Sequence, residues 1–431
     1  MENLIGVVAD DTTGANDIGV MFSKSQSTVK VVNFEENSEL KKDANVVIID
    51  TDSRLDSLEL SYQKVFQATK MLEKLGCTIY FNKTCSVFRG NIGTEFDAML
   101  DALEEDFAVI SLAFPKNGRK TINGVHTVHG KLLEDSEFAN DPVHPMTQSN
   151  LVSILQAQTK RKVVNIDISI VRQGAEVLRN KIEELRQTYN YCIIDSETQA
   201  DLGIVAKACT GIKVLAGSSA IAEEIPKYIK LDPIDNPKNN LDIKDSNGVL
   251  VVSGSLTPQT KRQTEYLINL GIATIIVDSR TVFNEEEKEK EVARVYNDAL
   301  NYIKLGKDVL IMADNNKEVV RQTKEIGLNK NIDDLTISKT VSAVLAVITE
   351  MVVTETGLQR LVVAGGDTSG TVMRQLGITG NYVLEEIETG VPSGLAIGRN
   401  LLIVLKSGSF GSPEFLKRAI DHLNMISIPS L

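Results

Sequence analysis

Cysteine is scarce in this sequence: Cys77, Cys85, Cys192 and Cys209 are spread over 431 residues, with no CxxC spacing. That excludes a disulfide framework and makes a reduced, cytoplasmic compartment the expected setting. Positive charge is in deficit, with a formal net charge of −12. This balance argues against a nucleic-acid surface, which needs concentrated positive charge, and still leaves room for a local basic pocket. Long apolar runs are missing too. No stretch is expected to approach the roughly 20 apolar residues of a membrane helix. The opening MENLIGVVADD lacks a basic n-region, and its apolar run is too short for a signal peptide. His126 and His129 have no third ligand of suitable type nearby, so zinc is not expected. What remains is an ordinary globular composition, 42% hydrophobic and 24% charged, in a chain long enough for two cores.

The sequence is organised around Leu4–Asp17, LIGVVADDTTGAND. Leu4 to Ala9 reads as a buried strand that ends abruptly in Asp10 and Asp11, and a helical pattern starts near Ala15. In an open parallel sheet, ligands occupy the crevice beyond the carboxyl ends of the strands. Two adjacent carboxylates there repel each other and resist desolvation unless a cation or a hydroxyl ligand compensates. Asp11 and Thr12 acting only as helix caps is the plainer alternative; the pair together with Asp17 favours a site.

The same polar ending recurs along the first half. Ala44–Ile49 runs into Asp50, Thr51, Asp52, Ser53 and Arg54. The strand after Cys77 passes into a loop, Asn82 to Asn91, that holds Lys83, Thr84, Cys85, Ser86, Arg89 and Gly90. Arginine offers a fork for a carboxylate, and lysine a point charge. Phe107–Pro115 ends in Lys116, Asn117, Gly118, Arg119, Lys120 and Thr121. Further strands end at Asp167, Asp195 and Gly217-Ser218-Ser219, between helices expected over 171–188 and 199–208. Strands alternating with helices predict an α/β chain of two domains, each on a mostly parallel sheet flanked by helices.

Residues 231–247 carry two prolines, four asparagines and no periodicity, which makes them the expected linker between a domain over 1–230 and one over 248–431. The second half opens with a strand into Ser253-Gly254-Ser255, with Thr257-Pro258 starting a helix. Two more strands end in glycine-rich turns, Gly365-Gly366-Asp367-Thr368-Ser369-Gly370 and Lys406-Ser407-Gly408-Ser409-Phe410-Gly411. Neither is a Walker A loop or a GxGxxG fingerprint. Three such turns, each before a helix, still predict a cradle in which backbone N–H groups bind phosphate.

These segments together resemble the four-carbon acid sugar kinases, over nearly the whole chain and in family order. The resemblance rests on ADDTTGAND, DTDSR, K-x-C-S…R-G-N-I-G, AFPKNGRKT, HPMTQSN, VVSGSLTPQT, AGGDTSG and LKSGSFG. It implies an N-terminal acid-sugar domain and a C-terminal nucleotide domain that phosphorylate a 4-hydroxyl with ATP. By position, Asp11, Arg54 and the Asn82–Ser86 loop would contact the sugar acid. Ser255, the Gly365–Thr368 turn and Gly408 would contact ATP, with Ser253 and Ser409 beside them. Many relatives read K-x-D-S-T-L-R-G-N where this chain has Cys85; the 3-oxo-tetronate branch shares K-x-C-S but not the following V-F-R-G-N.

On this reading Lys83 and Arg89 receive the substrate carboxylate or the transferred phosphoryl group. Asp11 is the first choice of general base, with Asp10 and Asp17 as alternatives. Mg²⁺ is expected to bridge phosphate oxygens, with Asp367 a candidate ligand. The expected partners are a small sugar acid and ATP, with no nucleic acid and no membrane; a homo-oligomer is left open. Two rivals stand beside the kinase. An isomerase or aldolase acting on sugar-acid phosphates would turn over without ATP, and a metabolite sensor would bind without turnover.

Overall fold

A computed structural model describes residues 3–36, 38–141, 143–232, 234–235, 237, 241 and 243–427. The chain forms two compact units, 1–236 and 237–431. The first contains β1 (Ile5–Ala9), α1 (Thr12–Ser23), β2 (Val29–Asn33), β3 (Val46–Asp50), α2 (Leu58–Leu75), β4 (Ile79–Lys83), α3 (Ile92–Ala102) and β5 (Ala108–Ser111). A ribbon of β6 (Arg119–Ile122), β7 (Val125–Val128) and β8 (Lys131–Leu132) comes next. The unit closes with α4 (Leu151–Gln156), β9 (Val163–Ile166), α5 (Ile168–Val171), α6 (Ala175–Leu185), β10 (Tyr191–Ile194), α7 (Gln199–Ala208) and β11 (Val214–Gly217).

Its main sheet is parallel, in the order β2-β3-β1-β4-β11-β5-β10-β9. The central strands are buried on both faces, which is why β1, β3, β5 and β10 read as near-continuous apolar runs. From β1 the chain goes first to β2 and β3 on one side; α2 then carries it to β4 on the other. β1 is therefore the switch point, where an open α/β sheet leaves a crevice at its carboxyl edge.

Two local expectations are corrected, and one stretch given no structure beforehand acquires one. The first helix begins at Thr12 rather than near Ala15, because the Asp11 carboxylate accepts the Gly14 N–H at 2.9 Å and caps it. The helix expected over 171–188 is two, α5 and α6, separated where Gly174 takes φ 105°. INGVHTVHG folds into the β6–β7 hairpin, turning on Asn123 (φ 53°) and Gly124 (φ 71°), the Asn-Gly signal of a tight hairpin.

The second unit comprises β12 (Leu250–Ser253), α8 (Pro258–Asn269), β13 (Ala273–Val277), α9 (Glu285–Ile303), β14 (Val309–Ala313), α10 (Lys317–Asn329) and α11 (Asp334–Thr356). These are followed by β15 (Arg360–Ala364), α12 (Gly366–Gln375), β16 (Gly380–Glu388), β17 (Val391–Ala396), β18 (Leu402–Lys406) and α13 (Phe415–Ile426). Strands run β13-β14-β12-β15-β18-β17-β16; the first five are parallel, and β17 pairs antiparallel with both β18 and β16. The β16–β17 hairpin has no counterpart in the sequence reading. Another expectation needs correcting here: α11 is, by length and composition, apolar enough to cross a membrane. Its apolar residues Val344, Leu345, Ile348 and Val352 instead belong to the core of this unit, packed with β12, β14 and β15 residues.

Part of the expected linker, Pro233, Asn236, residues 238–240 and Asp242, lies outside the described residues. What surrounds it is tied down. Asn45 and Thr28 donate to the carbonyls of Asp232 and Ile234 in the first unit. In the second, the Arg360 guanidinium donates to Asp245 at 2.6 Å and Asn247 to the Thr356 carbonyl.

Candidate active site

In the first unit the polar strand endings converge at the carboxyl edge around β1. Arg54, just past β3, grips Asp10 with two parallel bonds, Nε to Oδ2 and Nη2 to Oδ1, both 2.8 Å. Its Nη1 reaches Asp11 Oδ2, also at 2.8 Å. One guanidinium thus answers the repulsion between adjacent carboxylates. The Asp10 carbonyl also accepts the N–H groups of Ser53 and Arg54, which locks the β3 ending to the β1 ending.

The four acids here have different electrostatic settings. Burial works against charge on Asp11, but Arg54 and Lys83 outweigh it and hold its carboxyl down to about 2. Asp17, on α1, is pushed up to about 6 by burial, against the pull of Lys83. Asp50 is pushed up to about 7 by burial and the nearby Asp52, although Thr12 donates to it at 2.5 Å. Glu95 is raised by burial and by Asp10, and its Oε1 accepts from Ser53 and Ser61.

The loop after β4 is held in unusual backbone. Phe88 takes φ 58°, a left-handed conformation that a bulky residue adopts only under constraint, and Gly90 takes φ 104° against the Arg54 side chain. Lys83 is buried; its Nζ donates to the Thr84 carbonyl at 3.0 Å and stands 4.0 Å from Asp17 Oδ2. Asn82 is spent on the Glu95 carbonyl. Arg89 is ion-paired with Asp141 at 2.6 Å, lies over the Phe138 ring at 5.2 Å and donates to Cys85 Sγ at 3.4 Å. Burial opposes ionisation of the Cys85 thiol, but Arg89 and Arg54 prevail and lower its pKa. Ser86 is half-buried at the bend. Asp10, Asp11, Arg54, Lys83, Thr84 and Cys85 are therefore one neighbourhood, while Asn82 and Arg89 are largely occupied by internal partners.

His126 is buried against Thr121, its Nδ1 3.0 Å from the hydroxyl. Among the described residues no group of three or more His, Cys, Asp or Glu is arranged to hold a metal.

In the second unit three strand endings meet. The Gly254 N–H donates to the Ala364 carbonyl and the Gly365 N–H to the Lys406 carbonyl, so the turns after β12, β15 and β18 are stitched side by side. Gly254 and Gly408 are glycines by necessity. A Cβ on Gly254 would lie 2.3 Å from Thr368 Oγ1, and one on Gly408 2.6 Å from Ser255 Oγ. Gly365 takes φ 126° and leads into α12, and at Gly366 an added Cβ would meet no protein atom within 4 Å. The N-terminus of α12 thus presents bare backbone N–H groups to open space. Asp367 and Ser409 are exposed beside this cradle, Ser253 is buried beneath it, and Thr368 is fastened to Ser342. Asp367, in the first turn of α12, leaves an exposed carboxylate beside that cradle, a hard oxygen ligand of the kind Mg²⁺ takes.

Two features here were not read from the sequence. Lys406 is fully buried and braces the cradle, its Nζ donating to Thr260 Oγ1 (2.7 Å) and the Gly408 carbonyl (3.1 Å). Burial lowers its pKa to about 7. Beside Gly254 lies a pocket with apolar walls from Leu256, Ala313, Val320, Ile337 and Val341. Nothing local announces either one, because both arise from segments far apart in the chain. In the first unit Arg119 and Ser219 were visible only as polar strand endings and Ser111 only as part of a strand, and the structure brings all three toward Lys83 and Asp17.

Comparison with known proteins agrees with this layout. A family model described as a sugar-binding N-terminal domain matches residues 5–225, and one described as a nucleotide-binding C-terminal domain matches residues 250–416. A 3-oxo-tetronate kinase of Pseudomonas savastanoi pv. phaseolicola is 33% identical, covering 97% of each chain. One of Actinobacillus succinogenes is 30% identical over 96% of this chain and 99% of its own. Among solved structures, a Salmonella typhimurium LT2 protein provisionally described as a tRNA synthase matches with TM-score 0.84 and 27% identity, covering 96% of this chain and 98% of its own. A Haemophilus influenzae protein matches with TM-score 0.76 and 26% identity over the same shares. The chain belongs to the four-carbon acid sugar kinase family.

Proposed function

We propose that this protein is a cytoplasmic, ATP-dependent kinase that phosphorylates the terminal (4-) hydroxyl of a four-carbon sugar acid of the 3-oxo-tetronate, threonate or erythronate type. The observation that carries it is the open backbone at Gly366, set among the stitched turns of the second unit at a helix N-terminus, a setting suited to phosphate. The names of the relatives support the substrate class. Four free, buried thiols support the reducing compartment.

In this reading residues 1–230 hold the acid and residues 248–431 the nucleotide. The N–H groups around Gly365–Thr368, with Ser255 and Gly408, take the phosphates, and the apolar pocket beside Gly254 takes the base. Mg²⁺, held through Asp367 when bound, offsets charge on the phosphate oxygens. Asp10 and Arg54 are a fixed platform. Asp11, partly exposed and ionised throughout the working pH range, accepts the hydrogen bond of the acceptor hydroxyl. The acceptor O–H bond breaks, its proton passing to Asp11, as the new O–P bond forms and the bond from the γ-phosphorus to ADP breaks. Lys83 supplies positive charge near the reacting groups.

The test is ADP release from ATP and Mg²⁺ against a panel of threonate, erythronate and 3-oxo-tetronate stereoisomers. Release with one member identifies the acceptor. Turnover of a sugar-acid phosphate without ATP would replace the kinase by an isomerase or aldolase, and nucleotide binding with no turnover would leave a sensor.

A further inference from the structure

Eleven buried side-chain polar atoms have no hydrogen-bond partner among the described residues, and five of them belong to one corner of the first unit: Asp17 Oδ1, Thr84 Oγ1, Ser111 Oγ, Arg119 Nε and Ser219 Oγ. Buried polar groups are nearly always satisfied, because leaving one unpaired forfeits its hydration with nothing in return. Five together at the carboxyl edge of a parallel sheet require a cause, and a ligand's atoms are the simplest one.

The fold explains their convergence. In the register of the sheet Gly217 stands opposite both Lys83 and Ser111. Backbone bonds from Thr84 to Gly217 and from Ser218 to Ser111, each 3.0 Å, align the three endings. Gly217 is obligatory here, since a Cβ would fall 2.0 Å from the Ser111 carbonyl oxygen. The chain after β5 doubles back through the Phe114–Arg119 bridge, so that the Arg119 guanidinium lies over Phe138 at 5.9 Å, with Nη1 anchored to the Asn117 carbonyl. Asp17 comes in from α1, 4.0 Å from Lys83; Ser219 stands near it without closing a hydrogen bond, and the Arg119 charge favours its ionised form.

The inventory is lopsided. Three hydroxyls and one guanidinium N–H are free to donate beside the Lys83 ammonium, and a single carboxylate oxygen is free to accept. An acceptor-rich anionic group carrying a hydroxyl next to it matches that set. We propose that Asp17, Thr84, Ser111, Arg119 and Ser219 receive the 2-hydroxycarboxylate end of the acceptor, the carboxylate taking the donors and the 2-hydroxyl donating to Asp17. This rests on the sugar-acid reading and deepens it: the buried end of the site fixes the acid group, and the partly exposed Asp11 is left for the terminal hydroxyl.

Calorimetric titration of the full chain separates the two claims. The probes are the four-carbon acids of the activity panel, threitol (which lacks the carboxylate) and the matching 2-deoxy acid. The best acid should bind, with threitol and the deoxy acid at least tenfold weaker. Ser111→Ala, Ser219→Ala and Arg119→Lys should each weaken the acid about tenfold and leave ATP affinity unchanged. The two serine variants should melt at the same temperature or higher, since each removes an unpaired buried hydroxyl. A structural role would lower the melting temperature and spare affinity, and that result overturns the proposal. So does unchanged affinity in the variants, or binding of no acid at all. Acid binding of the predicted pattern without ADP release would leave this pocket standing and remove the kinase.

Discussion

Replacing Asp17 by asparagine should stabilise the free protein at neutral pH, by an amount that changes with pH in a defined way. Burial raises this carboxyl from its ordinary 3.8 to about 6, while Lys83 pulls the other way without prevailing. A difference of about 2 units corresponds to about 3 kcal/mol of penalty on the charged form. Between these values the folded chain binds a proton that the unfolded chain has released. Wild-type stability therefore falls as pH rises from about 4 to about 6, and the penalty persists above that range. The amide carries no such term. The variant's advantage should be absent below about pH 4, grow between 4 and 6 and level off near 3 kcal/mol, less whatever Lys83 loses as its partner 4.0 Å away becomes neutral. Urea titrations followed by circular dichroism at pH 4, 5, 7 and 8 give the difference directly. An advantage that does not vary with pH, or a variant less stable than wild type at pH 7, would refute the reasoning. The same variant should bind the acid more weakly, the usual opposition of stability and function at a site.

Asp11→Asn should lower kcat by about 100-fold or more and leave ATP affinity unchanged; retained turnover in the activity panel would remove Asp11 as proton acceptor. Gly366→Val should leave the melting temperature within a degree or two, because its Cβ meets no protein atom, yet weaken nucleotide binding at least tenfold. Titration calorimetry with ATP checks this, and unchanged affinity would move the phosphates elsewhere. Lys406, lowered from 10.5 to about 7 by burial, binds its proton less tightly folded than unfolded. Stability of the second unit should therefore rise between pH 7 and 10, by up to about 5 kcal/mol. Lys406→Met should flatten that rise, and a wild-type profile already flat over this range would sink the account.

Much of the fold was legible because buried parallel strands announce themselves as apolar runs, and each ran into polar residues at its carboxyl end. Asp10-Asp11, Arg54 and Lys83-Thr84-Cys85 stood out for that reason, and they do meet around β1. The β16–β17 strands escaped notice because their alternation is irregular, with register shifts near Glu386. Asn82 and Arg89 are also tied to the carbonyl of Glu95 and the carboxylate of Asp141, which the loop alone does not show. Those partners sit 13 and 52 residues away, beyond the reach of local pattern.

Sequence by itself determined most of the parallel strands, the place of the glycine-rich turns and the charge carried to the strand ends, since these depend on neighbours a few residues apart. Only the tertiary structure decided which of those charged groups are spent on one another and which are left unpaired. Arg54 closes on Asp10 and Asp11, while the Ser111 and Ser219 hydroxyls and the Arg119 Nε are brought toward Asp17 without a hydrogen-bond partner. Satisfaction of a buried polar group is a property of the sheet's register and of what crosses its edge, and neither is written in any one segment.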